Sequence, residues 1–451
     1  MNTDSGRGGE KPLLLLKKIL AYLLSAFVLT NIIIWAVLLI YNDDVKSYFV
    51  ARLNQQLNTK VEIDEVELAF WSTFPHASIE LKNVRMHHGA PYKAAGYFLK
   101  ANRIVFSFGW MDFVKGEYTA KAILVEGGEI NVLSDSEGRV NYNVIKQGVE
   151  DAESSFKFEI ENLSLRNIAL HVGLVHDSFF WNSEISKAEA SGAFGDSSFN
   201  LNLEAEFQTR KLQNGDIIWV DDKACELTCK LQVDQEKQSY TFTEGNVLVA
   251  QTNIGVDGRV MLIEEGVDLN LVLTGEDLDI SSFISLLPPE YSRYTSDYES
   301  NGKFYANAEI KGEWDKQQNP LVKISFGINE GNVIYKPNEV SLNGISIKGE
   351  FTNGQRRNLK TSMLKMNDFA FRMKEGSTQG SLLLSDFTDL LVDCRFTSDV
   401  DLKEMASFFP EGKVQALQGT ARLEMKISGS VKGLSNKDEF AQVRPDAVGT
   451  I

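Results

Sequence analysis

Cysteine, proline and positive charge are all scarce in this sequence. The chain of 451 residues has three Cys, an odd and small number that excludes a disulfide framework holding a small domain together. It has 9 Pro, about 2% against a usual value of about 5%, and this scarcity favours long β-ladders because each proline removes a backbone donor. The 46 Lys and Arg are outnumbered by 62 Asp and Glu, for a net charge of −16. This balance argues against a nucleic-acid-binding protein, which would present a clustered basic surface.

The chain also lacks the short motifs that carry common chemistry. It contains no GxxxxGK[ST] phosphate loop, no strand-linked GxGxxG and no GxSxG elbow. The adjacent His87 and His88 would point to opposite faces of a strand, and Cys225 and Cys229 would lie about 13 Å apart along one, too far for a disulfide. We therefore expect a protein that is not an enzyme, with no catalytic residue, metal site or cofactor.

One long hydrophobic run lies near the N-terminus. Residues 19–41 (ILAYLLSAFVLTNIIIWAVLLIY) carry no charge and are long enough to cross a hydrocarbon core of about 30 Å as a helix. Basic residues precede the run, and Asp43 and Asp44 follow it. This asymmetry predicts a signal anchor with residues 1–18 as a cytoplasmic tail. A cleaved signal peptide is the alternative, but it would have a shorter apolar region ending in small residues.

A helix and then many strands are expected after the anchor. Residues 42–58 predict an amphipathic helix, whose apolar edge would plug the end of the following domain, or else lie on the membrane surface. From residue 59 onward apolar residues recur at every second position, as in Ile79–Lys82 and Val267–Leu271. Such alternation indicates antiparallel strands with one apolar and one wet face. Two short helices are expected near 279–287 and 401–409.

Pairs of turn-forming residues punctuate these strands and predict hairpin turns. They are Gly127-Gly128, Glu137-Gly138, Asn214-Gly215, Asp257-Gly258, Asn343-Gly344 and Asn353-Gly354. The predicted organisation is a β module over 59–150, a repetitive β region over 151–434 and a polar tail without a closing strand over 435–451. That tail is either a loose terminus or a point where the sequence stops before the architecture does.

A long sheet with one apolar face must bury that face. It can pack against a second sheet as a sandwich, or curve so that the face lines an apolar trough. Periodicity alone leaves both open. In the trough the candidate lipid-binding residues are Ile79, Leu81, Ile104, Phe106, Phe108, Ile123, Val125, Ile130 and Val132; in a sandwich the same residues would fill the core.

Five short motifs behind the anchor resemble the AsmA family of Gram-negative envelope proteins, whose relatives include TamB. In chain order they cover residues 74–84 (FPHASIELKNV), 99–104 (LKANRI), 116–118 (GEY), 123–130 (ILVEGGEI) and 137–142 (EGRVNY). The resemblance reaches to about Lys146, and residues 150–434 match only in their style of repeated strands.

The resemblance implies a mainly β protein: an N-terminal transmembrane helix followed by an elongated, curved antiparallel sheet, a β-groove, with a few short helices. Such a protein would be single-pass in the inner membrane, with its N-terminus cytoplasmic and its bulk periplasmic. It would bind phospholipid or another acyl lipid and conduct it along the groove, supporting outer-membrane biogenesis or homeostasis, with an outer-membrane or periplasmic protein as a partner. The alternative is a non-catalytic assembly scaffold for outer-membrane proteins that uses exposed strand edges.

Overall fold

The computed structural model describes most of the chain after the predicted anchor. It covers residues 47, 50, 51, 53–69, 76–92, 94–109, 118–144, 146, 156–194, 197–264, 266–284, 297–315, 317–338, 340–373, 376–401, 419–430 and 444–450. The predicted anchor over 19–41 lies outside these residues, and so do residues 402–409 of the second short helix. Among the residues that are covered, no helix combines the length and the hydrophobicity needed to cross a bilayer.

Twenty strands form one sheet. They are β1 (Val61–Glu62), β2 (Glu65–Ala69), β3 (His76–His87), β4 (Tyr97–Gly109), β5 (Tyr118–Ser134), β6 (Phe156–Leu174), β7 (Phe179–Gly192), β8 (Ser198–Asn214), β9 (Ile217–Asp234), β10 (Ser239–Val249), β11 (Thr252–Ile263), β12 (Gly266–Asp279), β13 (Tyr298–Trp314), β14 (Leu321–Tyr335), β15 (Val340–Thr352), β16 (Met363–Met373), β17 (Gly376–Ser385), β18 (Leu391–Asp401), β19 (Thr420–Ser430) and β20 (Arg444–Thr450).

The strands follow one another across the sheet in chain order. β1 and β2 both pair with β3, and every later strand pairs with the next one along the chain. All of these pairs are antiparallel except β5–β6, which is parallel. The prediction of one large, open and mainly antiparallel sheet is therefore confirmed. The two strands of the parallel pair are separated in the chain by residues 135–155, which include the expected boundary at 150.

Apolar side chains line up across the strands on one face, which we call the inner face. One row of directly opposed residues runs from β3 to β11: Leu81, Ile104, Val125, Leu165, Ala188, Ala205, Leu227, Val247 and Ile254. A second row continues from β11 to β19: Val256, Leu273, Ala308, Ile324, Phe351, Leu364, Leu384, Val392 and Gly429. Ile254 and Val256 are two apart on one strand, so both rows share a face.

The opposite, outer face is polar. One position along each strand from the second inner row, and therefore on the opposite face, the residues of β12–β16 form a row of opposed polar side chains. They are Thr274, Asn307, Ser325, Glu350 and Lys365. Four of the five are exposed, and Asn307 is partly so. The alternation predicted from the sequence therefore gives two chemically distinct faces, because the register places apolar residues opposite apolar ones and polar residues opposite polar ones.

Kinks recur at the same position in neighbouring strands. Asn83, Asn102, Gly127 and Asn167 are each skipped by the pairing on β3 to β6, and three of them, Asn83, Gly127 and Asn167, have positive φ. An unpaired residue bends its strand and increases the local twist, so an aligned set bends the strands together.

Three predicted turns lie inside strands instead. Gly127-Gly128 belongs to β5, Asp257-Gly258 to β11 and Asn343-Gly344 to β15. The hairpin prediction was wrong there because a glycine with positive φ serves a kink in a ladder as well as a turn.

The ends of the sheet differ in part from the expectation. Residues 53–56 of the first predicted helix are helical, and the helix expected near 279–287 forms at Ile280–Ile284. Residues 444–450, predicted as part of a tail without a strand, form β20 against β19. Small residues such as Ala447 and Gly449 lie opposite Met425 and Leu423 there, and they give little hydrophobic alternation to read from the sequence.

Candidate functional site

The inner face is filled and covered at its N-terminal end. Eleven buried residues of β3 to β6 form one cluster, in which Ile79 and Phe108 have no exposed surface. Val50 and Leu53 from the helical segment pack against this cluster, together with residues of β1 and β2. Leu53 of the predicted amphipathic edge therefore packs where a plug at the end of the domain would, whereas Val45 and Phe49 of the same edge lie outside the described residues, so the plug stays a prediction.

The structure places the candidate lipid-binding residues mainly in this closed cluster. Ile79, Leu81, Ile104, Phe106, Phe108 and Val125 are buried members, and Ile123 and Ile130 are partly buried residues packed against it. Val132 lies partly exposed on β5, opposite Val172. Their contact with lipid stays a prediction, and six of the nine have little free surface for a guest.

Burial changes along the first inner row where the parallel pair joins the sheet. Leu81, Ile104 and Val125 are 1%, 6% and 7% exposed. From Leu165 on β6 to Ile254 on β11, every member of the row is partly exposed, and so is every member of the second row. In a closed sandwich this face would be packed to the density of a protein interior. We call the inner face of β6–β19 the open face, after the exposure of these two rows. It is not exposed throughout, since Ile168 on β6 belongs to the closed cluster, Leu165 packs against that cluster, and Leu201 and Leu269 are buried.

The sequence prediction missed the residues of the open face. Leu165, Leu271, Ile324 and Leu384 obey the same alternation as the nine candidates. Periodicity gives the face of a side chain but not what lies above it, so it could not separate the covered strands from the open ones.

Buried Asn141 ties down the segment that follows β5. Its side-chain Oδ1 accepts from the Leu133 amide at 2.8 Å, and its Nδ2 donates to the Asn131 carbonyl at 2.7 Å. These two bonds fix the orientation of the amide, so Nδ2 also donates to His88 Nδ1 at 2.9 Å. His88 is thereby a neutral ring that carries its proton on Nε2. Burial, with the nearby His87 adding to it, holds the pKa of His88 below its usual 6.5.

The same segment reaches the first helix. The Asn58 amide donates to the Val144 carbonyl at 3.0 Å, and the Lys146 amide donates to the Gln56 carbonyl at 2.9 Å. We call residues 140–144 and 146 the clasp, because they join the end of β5 to the end of the helix that covers the closed cluster.

The outer face is held by charge pairs between neighbouring strands. Arg103 on β4 pairs with Glu80 and Glu126 on the flanking strands. Arg210 on β8 pairs with Glu184 and Asp222, and its guanidinium lowers the pKa of Glu184. Such exposed pairs contribute little stability each, but they match the registers of adjacent strands and keep the outer face in water.

All three cysteines are free and lie on the inner face. Cys225 and Cys229 are buried on β9, and Cys394 is partly buried on β18. Burial raises the pKa of the Cys229 and Cys394 thiols, which favours their protonated form, and such thiols pack as small apolar residues.

The part of the chain that the structure describes shows no convergence of polar side chains on a single metal-binding point. No group of three or more His, Cys, Asp or Glu there could hold a metal ion. An open hollow of about 760 Å³ lies over β16–β19. Its lining mixes inner-face Phe396 and Met425 with outer-face Arg395 and Glu424, so it is neither a dry apolar site nor a set of aligned catalytic groups.

No protein-family model matches the chain, and neither a curated protein nor a solved structure is significantly similar to it.

Proposed function

We propose that this chain is an inner-membrane-anchored periplasmic protein that binds lipid and conducts it along an apolar β-groove, supporting outer-membrane biogenesis or homeostasis. The observation that carries the proposal is the open face: two apolar rows, continuous through neighbouring strands, whose side chains stay partly exposed from β6 to β19. The uncharged run at 19–41 and the resemblance to the AsmA family support the anchor and the compartment.

The dimensions suit hydrocarbon chains. Strands lie about 4.8 Å apart, and an acyl chain reaches about 15 Å, half of a bilayer core. One chain lying across the strands would therefore contact about three of them, and the open face could hold several in sequence.

The energetic advantage comes from shielding. Each CH₂ of a lipid tail taken out of water is worth about 0.8 kcal/mol, so a long acyl chain exposed to the periplasm would cost on the order of 10 kcal/mol. A continuous apolar surface removes most of that cost at every point of the path. The polar outer face keeps the same sheet soluble.

Bound lipid is tested with two neighbouring residues on β12. Leu271 lies on the inner face between Gly258 and Ile310, whereas Val272 is 37% exposed on the outer face. The full-length protein is purified in parallel as wild type, Leu271→Glu and Val272→Glu, with circular dichroism to confirm folding and mass spectrometry to count bound lipid. We expect lipid in the wild type and Val272→Glu and much less in Leu271→Glu. Equal lipid in both variants, or none in the wild type, would contradict the proposal.

Conduction is tested separately from binding. Glutamate at Leu165, near one end of the open face, or at Leu384, near the other, would interrupt a continuous path while leaving the remaining strands able to hold lipid. We expect either change alone to stop transfer of fluorescent lipid between donor and acceptor vesicles. Partial, additive losses would indicate separate binding sites rather than a conduit.

The scaffold hypothesis has one structural feature in its favour. Among the described strands β20 pairs with β19 alone, so its other edge could add a strand from a partner. Photo-crosslinking from residues 444–450 to an outer-membrane protein, together with a lipid-free wild type, would favour the scaffold over the groove.

A further inference from the structure

Three adjacent turns at one edge of the sheet are bonded into a single unit. They are residues 315–320, 353–362 and 386–390, which follow β13, β15 and β17. Asn353 Nδ2 donates to the Pro320 carbonyl at 2.8 Å, and the Phe387 amide donates to the Leu359 carbonyl at 2.9 Å. The middle turn is therefore fixed to both of its neighbours.

The middle turn is also rigid within itself. Asn358 caps a single 3-10 turn, Leu359–Thr361, by accepting from the Thr361 amide at 3.1 Å. Thr361 Oγ1 donates to the Asn353 carbonyl at 2.8 Å, which closes the base of the turn. Side chains at its tip are thus presented in a fixed arrangement.

This rigid tip presents an apolar residue to solvent. Leu359 is 62% exposed, the highest value among the large hydrophobic residues that the structure describes. Trp314 (46%), Phe387 (37%) and Leu391 (43%) are exposed on the neighbouring turns or the strand ends beside them. Exposed apolar side chains on the tip of a fixed turn and on the turns and strand ends next to it indicate an interaction site.

Basic residues surround Leu359. Residues 353–362 (NGQRRNLKTS) contain Arg356, Arg357 and Lys360 and no acidic residue, in a chain of net charge −16. Arg356 and Lys360 are exposed, and within the described residues neither forms a salt bridge. Arg357 is partly exposed and donates to the Asn319 carbonyl at 3.4 Å.

The acidic residues of the neighbouring turns are engaged locally. Asp315 accepts from the amides of Gln317 and Gln318. Asp386 accepts from the hydroxyl and amide of Thr388, and these bonds, with Lys360 as a weaker contributor, lower its pKa. Asp389, in the same turn as Asp386, accepts from the Ser430 hydroxyl at 3.2 Å. These carboxylates stabilise their own turns, and Arg356 and Lys360 are exposed cations of the middle turn.

We infer that these turns form a membrane-contact surface for an anionic phospholipid bilayer, with Leu359 entering the interface and Arg356, Arg357 and Lys360 binding lipid phosphates. We call the surface the rim patch, defined by these four residues and the flanking Trp314 and Phe387. Cations around an exposed aliphatic residue, with tryptophan beside them, match the interfacial region of a bilayer, where apolar groups enter and basic groups meet phosphate. Phe387 packs edge-to-face on Phe351 of the second inner row, with ring centroids 6.0 Å apart, so the rim patch is continuous with the open face.

The test measures capture of vesicles by the full-length chain. The protein is transferred into nanodiscs of neutral phosphatidylcholine, immobilised through a terminal tag and exposed to vesicles of phosphatidylcholine alone or with phosphatidylglycerol. We expect capture only of the anionic vesicles, and weaker capture as salt rises, because screening acts on exposed charges.

Two sets of variants separate the contribution of the basic residues from that of the apolar Leu359. Arg356→Gln with Lys360→Gln should weaken capture about thirty-fold, and Leu359→Asn about tenfold. The control for the double charge variant is Lys348→Gln with Lys365→Gln, on the outer face of the same hairpin, which makes the same charge change. The control for Leu359→Asn is Leu262→Asn, at a residue that is 42% exposed at the same end of the strands. Both controls should capture vesicles as the wild type does.

Three results would overturn the inference. These are equal capture of neutral and anionic vesicles, equal loss in the controls and the rim variants, and no capture of any vesicle. The last would point instead to a protein partner for the rim patch. None of them bears on lipid within the open face, which is measured on the purified protein alone.

Discussion

Truncating the same residue type at two points of the inner face measures whether that face is closed or open. Leu81 on β3 is 1% exposed within the covered cluster. Leu271 on β12 is partly exposed, between Gly258 and Ile310. Each sits in the interior of a strand with a strand on either side, so the backbone contributes similarly at both positions.

The two truncations differ in the space that they leave. Leu81→Ala should create an enclosed cavity beneath the helix, and such changes destabilise by about 3–4 kcal/mol through lost transfer energy plus the cavity. Leu271→Ala should leave a hollow that water or a lipid can enter, so only part of the transfer term is lost, about 1 kcal/mol. The difference of about 2–3 kcal/mol corresponds to a difference in the local opening constant of roughly thirty-fold to a hundred-fold.

Hydrogen exchange of the full-length protein is the suitable assay, because a long sheet of neighbour contacts opens locally rather than as one unit. Peptides from β3–β4 report on Leu81→Ala and peptides from β12–β13 report on Leu271→Ala. Val272→Ala on the outer face is the control and should change exchange by no more than about 0.5 kcal/mol. If Leu271→Ala destabilises its strands as much as Leu81→Ala does, the inner face is closed at β12 and the groove proposal fails.

Three further predictions concern the closed end. Asn141→Ala leaves the Leu133 amide and the Asn131 carbonyl without partners and should destabilise the clasp by about 2–4 kcal/mol, seen as faster exchange at the end of β5. Burial lowers the pKa of His88 in the folded state, so the contribution of neutral His88 to stability is complete above about pH 6.5 and is lost as the pH falls through 6.5 toward the folded pKa. Hydrogen exchange of residues 131–146 at pH 5 and 7.5, in wild type and His88→Gln, measures this loss. An equal pH response in both proteins would refute it. Gly128→Ala places a methyl 2.0 Å from the carbonyl oxygen of Lys100 at φ +137°, so the β4–β5 pairing should loosen, and an unchanged melting temperature would contradict the close approach.

The sequence was sufficient to predict the two faces of the sheet, but not the individual residue partners, the kinks or the cover. Alternation is a local property of the sequence: strands such as β6, which contains Leu165, and β12, which contains Leu271, have apolar side chains at every second position. Antiparallel registers that keep like beside like then follow from burial, because a slip by one residue would invert a whole strand. Glycines were ambiguous, since Gly127 and Gly215 both have positive φ, yet one kinks a strand and the other forms a hairpin turn.

The candidate residues were chosen in the part of the chain with the strongest motifs, which is the part that is covered. The cover depends on long-range contacts, such as Leu53 on the cluster and Lys146 on Gln56, and no short motif encodes those. The motifs of residues 74–142 therefore belong to the closed module, while the open face lies further along the chain.

The position of the parallel pair explains why closure stops where it does. Because β5 and β6 are parallel, the last residue of β5 and the first residue of β6 lie at opposite ends of the strands. The described residues that follow β5 include the clasp, which binds the covering helix. From β8 to β12 the connections are only 215–216, 235–238, 250–251 and 264–265, too short to reach over the face that they border. Covering that face would therefore require another segment or a bound molecule, and the change in burial from Val125 to Leu165 marks where the cover formed by the described residues ends.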